Sequence, residues 1–443
     1  MKVRKSLVGA AAAVLALSSA AWADSTAINS QPDSSTFAVA APDSYSNVAV
    51  GDTTAVDSQP VMADDAPARA PLMAGLDKIG AASWLDKAGI NIYGFVEVGY
   101  FYDLTSPNDV SPAKFPASDA IYFPGPYKQA VMLNQLDLSF ERAIDASKGK
   151  FDVGFKVEGV YGRDAYYIHS NGVLDETNKA GGVNGPFDQL DLEQAYVTVA
   201  IPVGTGLTLK AGKFDTLLGY EVIQPTGNTL YTHSYGFSFG VPLTQTGILA
   251  SYNLTDKLSV TAGITRGWNQ TLYDNNGAID FLGEASYTAT DKLTLIGNLG
   301  VGPEVAHDNA HYDVVPEAIA EYKASDQLTL GVDVLYGLAN SYGQWYGTAG
   351  YASYTLDKWV TLNGRGEYYH DGNDFTTGAP DGGATVNYFE ATAGVAITPM
   401  PDNTYLSSLT VRPEMRVDWA DHGVYDDGHF SEVTFAIDAT VKF

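Results

Sequence analysis

Apolar and polar residues alternate along most of the chain beyond residue 90, and short polar turns separate the alternating runs. One turn phrase recurs four times, beginning at Tyr252, Tyr287, Tyr322 and Tyr354. The copies are about 35 residues apart, and recurrence at a fixed period is typical of one structural unit used repeatedly. The pattern predicts a unit of two strands and two connections.

The residues that follow each turn divide into an apolar face and a polar or small face. After the first turn these are Leu258, Val260, Ala262 and Ile264 against Ser259, Thr261, Gly263 and Thr265. Alternation with a period of two predicts a strand. A tyrosine closes the apolar face of the preceding strand each time. Aromatic residues at strand ends that bound an aliphatic band are typical of a transmembrane β-barrel.

The same alternation predicts strands along the rest of the chain, from Ile90 to Phe443. In the fourth strand, the apolar residues change from even-numbered to odd-numbered positions between Leu192 and Ala195, which predicts a β-bulge. Long connections at about 105–129, 163–188 and 217–243 alternate with short turns, as an up-and-down barrel requires. The prediction is an all-β, transmembrane, antiparallel barrel of about 16 strands, a size that leaves an aqueous channel.

Composition and charge exclude several other classes of protein. The 443 residues include no cysteine and carry a formal net charge of -27. An acidic chain lacks the basic surface that phosphate contacts need, so a nucleic-acid partner is excluded. Without cysteine there is neither a disulfide framework nor a thiolate zinc site. Beyond the N-terminus no run of about 20 apolar residues predicts a spanning helix.

The N-terminal segment has the features of an export signal. Basic residues precede an apolar core, and Ala21-Trp22-Ala23 offers a cleavage site, which predicts a signal peptide over residues 1–23. Residues 24–83 are predicted to form a disordered linker. Just ahead of the barrel, the spacing from Leu72 to Leu85 suggests a short amphipathic helix that plugs the periplasmic mouth, binds a partner, or is simply a frayed lead-in. The barrel domain is predicted over residues 84–443.

The last strand carries the strongest single motif. Phe435, Val441 and Phe443 alternate with polar residues, and the chain ends on the aromatic Phe443. This pattern looks like the signal that directs a barrel to the outer-membrane assembly machinery. The expected location is therefore the outer membrane, with its lipid bilayer and the assembly machinery as partners.

Several motifs resemble the outer-membrane beta-barrel porin-2 (OmpL-like) family of Gram-negative-type bacteria. The resemblance covers about residues 84–443 and implies a barrel and a pore. The motifs that carry it are Gly212-Lys213-Phe214-Asp215-Thr216, Gly219-Tyr220-Glu221, Asn228, Tyr231, His233-Ser234-Tyr235, Pro242, Thr246-Gly247, Arg365-x-Glu367-Tyr368 and Arg412-Pro413-Glu414-x-Arg416-x-Asp418-Trp419.

By analogy with 16-stranded porins, the connection at 217–243 is expected to fold inward and narrow the channel. The candidate constriction residues are Asp215, Glu221, His233, Arg365, Glu367, Arg412, Glu414, Arg416 and Asp418. Opposed charges across a pore create a transverse field that selects solutes by charge and dipole. The alternative is that the arginines form cross-strand pairs that hold the barrel wall together.

These features predict a porin for passive diffusion of small hydrophilic solutes and ions. Predicted inward positions carry roughly three times as many acidic as basic residues, which favours cations. The alternatives are a substrate-specific channel and a non-conducting adhesin or structural barrel. No enzyme activity, cofactor or metal site is expected, although acidic loops at 274–280 and 426–432 offer oxygen ligands for Ca²⁺. Fold analogy favours a homotrimer.

Overall fold

Within the part of the chain that the structure describes, two short helices precede the barrel. The computed structural model describes residues 70–106, 130–144, 149–174, 188–378, 383–425 and 428–443. The predicted signal peptide and the predicted linker as far as residue 69 lie outside these residues. So do most of the connection at 105–129 and part of the acidic loop at 426–432. None of the helices in the described part of the chain has the length and apolarity needed to cross a membrane.

Helix α1 (Pro71–Lys78) and helix α2 (Ala82–Ala88) occupy the segment in which the sequence suggests one amphipathic helix. Pro71 stands at the first helical position, where the missing N–H costs no hydrogen bond. Gly89 ends α2 in a left-handed conformation with φ of 69°. The buried side chains of this pair lie against the start of the first strand. They are Met73, Ala82 and Leu85, packed with Ile90 and Ile92.

The described residues then form sixteen strands in one closed antiparallel barrel, as the alternation predicts. Each strand pairs with its neighbours in the chain, and β1 pairs with β16 to close the barrel. The strands are β1 (Asn91–Asp103), β2 (Met132–Arg142), β3 (Asp152–Gly162), β4 (Gln189–Ile201), β5 (Leu207–Asp215), β6 (Thr244–Thr255), β7 (Leu258–Thr265), β8 (Asp280–Thr290), β9 (Leu293–Gly302), β10 (Asp313–Lys323), β11 (Leu328–Ala339), β12 (Gly343–Asp357), β13 (Val360–Asp371), β14 (Val386–Ile397), β15 (Thr410–Ala420) and β16 (Ser431–Lys442).

The repeated phrase forms the short turns that connect β6 to β7, β8 to β9, β10 to β11 and β12 to β13. A side-chain oxygen caps each of these turns. Thr255 accepts hydrogen bonds from the N–H groups two and three residues later. Ser325 and Asp357 do the same in their turns, and Thr290 accepts one such bond. Local bonds of this kind favour turns over continued strand. Counted from the tyrosine, Asp357 of the last copy is equivalent to Thr255, so an aspartate replaces the hydroxyl residue as the cap of this turn.

The predicted bulge in the fourth strand is confirmed. Glu158 of β3 pairs with Gln194, whereas the next residue, Gly159, pairs with Leu192. The extra residue is Glu193, and both Glu193 and Gln194 face the barrel interior, where they are buried. An extra residue in one strand of a pair re-aims the side chains beside it. Because of this local shift, the Glu193 carboxylate faces the barrel interior beside Gln194.

The barrel interior contains a large apolar cluster as well as polar side chains. A one-turn helix, α3 (Ala165–Ile168), and the connection between β5 and β6 contribute buried residues to it. Inward-facing wall residues complete it, among them Trp345, Tyr369 and Tyr388. Alternation alone predicts a polar interior, because it does not show which loops fold inward and cover the wall.

Candidate functional site

The connection between β5 and β6, residues 216–243, is folded into the barrel; we call it the inner loop. Its residues contact strands on both sides of the lumen. The Gly219 N–H donates to both carboxylate oxygens of Glu317 on β10, each at 2.9 Å. Further along, the Tyr231 hydroxyl accepts a 2.8 Å bond from the Asn134 amide on β2. The inner loop therefore crosses the barrel, as the analogy with 16-stranded porins predicts.

Wall carboxylates accept hydrogen bonds from backbone N–H groups of the inner loop. Glu414 accepts from Tyr231 at 2.8 Å and from Thr232 at 3.0 Å. Glu367 accepts from Tyr235 at 2.6 Å and from Gly236 at 2.7 Å. Buried backbone donors need partners, and an ionised acceptor makes a stronger bond than a neutral one.

Wall arginines make the complementary contacts with the carbonyl oxygens of the inner loop. Arg365 donates to the Thr232 carbonyl at 2.6 Å and to the His233 carbonyl at 3.2 Å. Arg412 donates to the carbonyls of Pro225 and Asn228, at 2.7 and 2.6 Å. Arg416 donates to the His233 carbonyl. The guanidinium has five donors in a fixed plane, which allows one side chain to bond the loop and a carboxylate together.

Each of these arginines is also paired with a wall carboxylate. Arg365 bonds Glu390 on β14 at 2.9 Å. Arg412 bonds Asp438, its direct cross-strand neighbour on β16. Arg416 bonds Asp418 on its own strand at 2.8 Å. Because these six side chains are at most 5% exposed, the pairs lie beneath the inner loop rather than on an open water surface.

A fourth ion pair joins the inner loop itself to the wall. The Glu221 carboxylate lies 2.7 Å from the Arg365 guanidinium, and it also accepts from the Ser234 N–H at 2.9 Å. Its other neighbour is the His233 imidazole at 3.2 Å. Burial lowers the pKa of His233, so the imidazole is neutral near pH 7 and this contact is a hydrogen bond. Burial raises the pKa of Glu221, but Arg365 and the hydrogen bonds outweigh it and set the pKa at about 2.

Replacing Glu221 by glutamine is expected to lower the free energy of unfolding by about 3 kcal/mol near pH 7, because Arg365 loses a buried partner. The pKa of Glu221 in the folded protein lies below the ordinary value of 4.5. Its ionised form therefore stabilises the fold fully above about pH 4.5, and that contribution is lost as pH falls through about 2. Urea unfolding of wild type and Glu221→Gln across this range measures the difference.

The stability difference should stay constant from about pH 7 to pH 5 and shrink at lower pH. Asp402→Asn is the matched control, since Asp402 lies in an exposed turn where its side chain is 76% exposed. A difference between wild type and Glu221→Gln that kept its neutral value near pH 2 would show that another group carries the effect.

Aromatic contacts hold the second half of the inner loop. The Tyr235 hydroxyl donates to Asp418 at 3.0 Å and lies 2.9 Å from the Tyr425 hydroxyl. Trp345 donates its indole N–H to the Gly240 carbonyl at 2.8 Å, and Gly240 ends a short π-helical turn, Gly236–Gly240. Residues 230–245 are buried throughout. In contrast, the first half of the loop around residues 226–229 keeps partial exposure.

The structure brings eight of the nine candidate constriction residues into one network. These are Glu221, His233, Arg365, Glu367, Arg412, Glu414, Arg416 and Asp418. Asp215 lies apart from them, at the end of β5, where it accepts a 3.4 Å bond from Gln224. In the last strand, Phe435 and Val441 alternate with the buried inward residues and keep partial exposure. Phe443 exchanges backbone hydrogen bonds with Gly94.

Sequence reasoning missed several members of the network. They are Glu97, Glu317, Glu390 and Asp438, together with Tyr231 as a donor to the wall. The four carboxylates could have been found from the alternation along β1, β10, β14 and β16, which places each of them at an inward-facing position. Alternation predicts the face on which a side chain lies, but it does not predict which loop covers that side chain.

Glycines at two wall positions leave room for tyrosines of the inner loop. A Cβ atom at Gly331 would lie 2.5 Å from the Tyr220 ring, and one at Gly99 would lie 2.1 Å from the Tyr231 hydroxyl. Tyr220 also packs against Tyr351, with ring centroids 4.3 Å apart. Any larger side chain at these positions would displace the loop. The wall is therefore shaped for the inward position of this loop.

Comparisons with known proteins agree with this architecture. The model of the family described as "Putative beta-barrel porin-2, OmpL-like" matches residues 89–443. The sequence has no significant match among curated proteins.

Solved porins share the fold at low sequence identity. The trimer form of OmpT from Vibrio cholerae is 12% identical with a TM-score of 0.50, covering 80% of this chain and 99% of that one. The anion-selective porin from Comamonas acidovorans is 11% identical with a TM-score of 0.50 and the same coverage. OprB from Pseudomonas putida is 12% identical with a TM-score of 0.50, covering 83% of this chain and 97% of that one.

Proposed function

The chain belongs to the beta-barrel porin-2, OmpL-like family and is a porin-like outer-membrane β-barrel, and from this premise we propose that it forms a water-filled channel for passive diffusion of small hydrophilic solutes and ions. The observation that carries the proposal is the inner loop, which is anchored across the lumen of a closed sixteen-strand barrel. A loop held in this way narrows the aqueous channel that a sixteen-strand barrel encloses. Diffusion through such a pore needs no cofactor and no catalytic group.

We propose that the eight candidate residues of this network set the size of the opening indirectly. The buried arginines and carboxylates fix the inner loop, and the partly exposed loop residues 226–229 then form the rim that solutes meet. This arrangement assigns the charged network to loop anchoring. It assigns contact with solute to the polar loop tip and to the uncovered part of the wall.

The uncovered part of the wall supports a preference for cations. Inward-facing residues that keep partial exposure include the carboxylates of Glu141, Glu284 and Glu321 and the ammonium of Lys156. A low-dielectric channel lined with excess negative charge raises the local concentration of cations. The same charges would disfavour anions, so the channel differs in this respect from the anion-selective porin with a similar fold.

Single-channel recording in a planar bilayer, with reversal potential under a KCl gradient, tests the proposal. We expect stable conductance steps and a cation-selective reversal potential. The double variant Glu284→Gln/Glu321→Gln should move the reversal potential toward zero, because it removes two of the wall charges that attract cations. Asp402→Asn, in an exposed turn, should leave it unchanged.

Two results would contradict the proposal. A folded barrel that never conducts would favour the structural or adhesive alternative, which the buried aromatic cluster inside the barrel supports. Saturable block of the current by one solute would instead favour a substrate-specific channel.

We also propose that the protein assembles as a homotrimer, by analogy with the trimer form of OmpT. Three equal closing steps from one inserted unit are expected in the same recordings. Single independent closures throughout would argue for a monomer.

We also propose that the protein is exported with a signal peptide that is removed before insertion into the outer membrane. Cleavage after Ala23 would leave a mature chain that begins at Asp24, with residues 24–83 as a linker ahead of the barrel domain, and the assembly machinery would insert it into the outer membrane. Mass spectrometry of the outer-membrane form measures its first residue. A mature chain that retained residues 1–23 would overturn this part.

A further inference from the structure

Three carboxylates from adjacent strands meet inside the barrel, away from the arginine network. They are Glu158 of β3, Glu193 of β4 and Asp215 at the end of β5. One oxygen from each lies within 4.8 Å of the others, and the residues are at most 2% exposed. Ionised carboxylates are rarely buried together without a cation, because both desolvation and mutual repulsion are unfavourable.

The bulge in β4 creates this group. It turns both Glu193 and Gln194 toward the interior. The Gln194 amide then bonds the Glu158 carboxylate, while Glu193 accepts a 2.6 Å bond from Gln224 of the inner loop. In a regular strand only one of these two neighbours would face inward.

Two buried oxygens at this position lack a hydrogen-bond donor. Glu193 Oε2 has no partner, and the residue is fully buried. Asp137 Oδ2 on β2 also has none; this residue is 1% exposed and close enough to Glu158 and Asp215 to interact electrostatically. Buried polar atoms without a partner are uncommon in folded proteins, and an absent ion is one of the accepted explanations.

The bonded contacts do not neutralise the group. Glu158 accepts from Ser139 at 3.0 Å and from the Lys156 ammonium at 2.9 Å. Lys210 of β5 interacts with Asp215 at longer range, whereas Lys213 of the same strand is paired with Asp191. With Asp137 included, four carboxylates face Lys156 and Lys210. The excess of negative charge matches the charge of one divalent cation.

We infer that Glu158, Glu193 and Asp215, with Asp137 beside them, form a binding site for a single Ca²⁺ ion. Calcium takes carboxylate and carbonyl oxygens at about 2.3–2.6 Å in flexible geometry, so ligand oxygens on opposite sides of the ion lie about 5 Å apart. Magnesium requires shorter distances and near-octahedral geometry, which a group spread over three strands fits less well. The bound ion would link the β3–β5 wall to Gln224 of the inner loop.

Terbium luminescence of the folded protein in detergent tests this inference. Tb³⁺ replaces Ca²⁺ on oxygen ligands, and Tyr93 and Tyr196 lie close to Lys156 of the same group, so excitation of tyrosine should sensitise the bound ion. We expect saturable emission that Ca²⁺ displaces at lower concentration than Mg²⁺. Glu193→Gln should weaken binding tenfold or more.

Glu432→Gln is the matched control, because Glu432 is an equally buried inward carboxylate on β16. It should bind Tb³⁺ like the wild type. Asp137→Asn serves as a second test variant should Glu193→Gln not fold, and heat-modifiable gel mobility verifies the fold of each. Absence of saturable emission from the wild type, or equal binding by wild type and the test variants, would overturn the site. Since binding is measured in detergent, the result is independent of whether the barrel conducts.

Discussion

Replacing Arg365 by alanine is expected to lower the free energy of unfolding by about 3–5 kcal/mol, because it leaves buried carboxylates without their charged partner. Arg365 bonds both Glu221 of the inner loop and Glu390 of the wall. It also donates to two carbonyl oxygens of the loop. The same change should therefore release the middle of the loop and raise single-channel conductance. Urea unfolding and planar-bilayer recording measure the two effects.

Arg266→Ala is the control for this prediction. Arg266 is 45% exposed and its ion pair with Asp274 is 3.7 Å long, so its loss should cost at most about 1 kcal/mol. Arg365→Lys should be intermediate, since lysine keeps the charge but not the planar fork of donors. A destabilised Arg365→Ala barrel with unchanged conductance would show that the network stabilises the wall without positioning the loop.

Backbone chemistry explains why so many charges are buried here. The inner loop has little regular secondary structure, so several of its N–H and C=O groups bond to the barrel wall instead of to one another. Inside a barrel these groups are shielded from water and need partners from the wall. Carboxylates at Glu317, Glu367 and Glu414 supply acceptors, and the three arginines supply donors. Pairing each arginine with a wall carboxylate offsets the cost of burying it.

The sequence predicts the barrel well because strands have a local signature. Alternation over a few residues gives the strand, its inner face and its approximate ends. For the last strand it predicts a start at Val433, and the structure begins that strand two residues earlier, at Ser431. It also predicts the bulge before Ala195. The strand count and the closed antiparallel topology follow from the regular sequence of turns.

The inner loop's path could not be predicted in the same way. Its contacts join residues far apart in the chain, such as Glu221 with Arg365 and Tyr231 with Glu414. Nothing near either residue in sequence identifies the other. The analogy with 16-stranded porins predicts that this connection folds inward, yet the burial of the arginines beneath it depends on three-dimensional packing. The carboxylate group at Glu193 is hidden for a related reason, because a bulge changes which residues face inward.

Replacing Trp345 by alanine is expected to lower the free energy of unfolding by about 3–5 kcal/mol, the range for deletion of a large buried aromatic side chain. Trp345 is completely buried in the cluster inside the barrel. Its ring covers Gly337, where an added Cβ would lie 1.9 Å away, and it packs against Phe375 at 5.6 Å. The change also leaves the Gly240 carbonyl of the inner loop without its indole donor. Urea unfolding followed by far-ultraviolet circular dichroism measures the loss.

Trp84→Ala provides the comparison, because Trp84 lies in α2 with 61% of its surface exposed. A surface substitution of this kind should change stability by no more than about 0.5 kcal/mol. Because the cluster joins the inner loop to the wall, Trp345→Ala should also increase the fluctuation of the open-channel current. A loss of less than about 1 kcal/mol would place Trp345 outside the group of residues whose packing determines stability. In that case the charged anchors alone would hold the inner loop, and the aromatic cluster would merely fill space beside it.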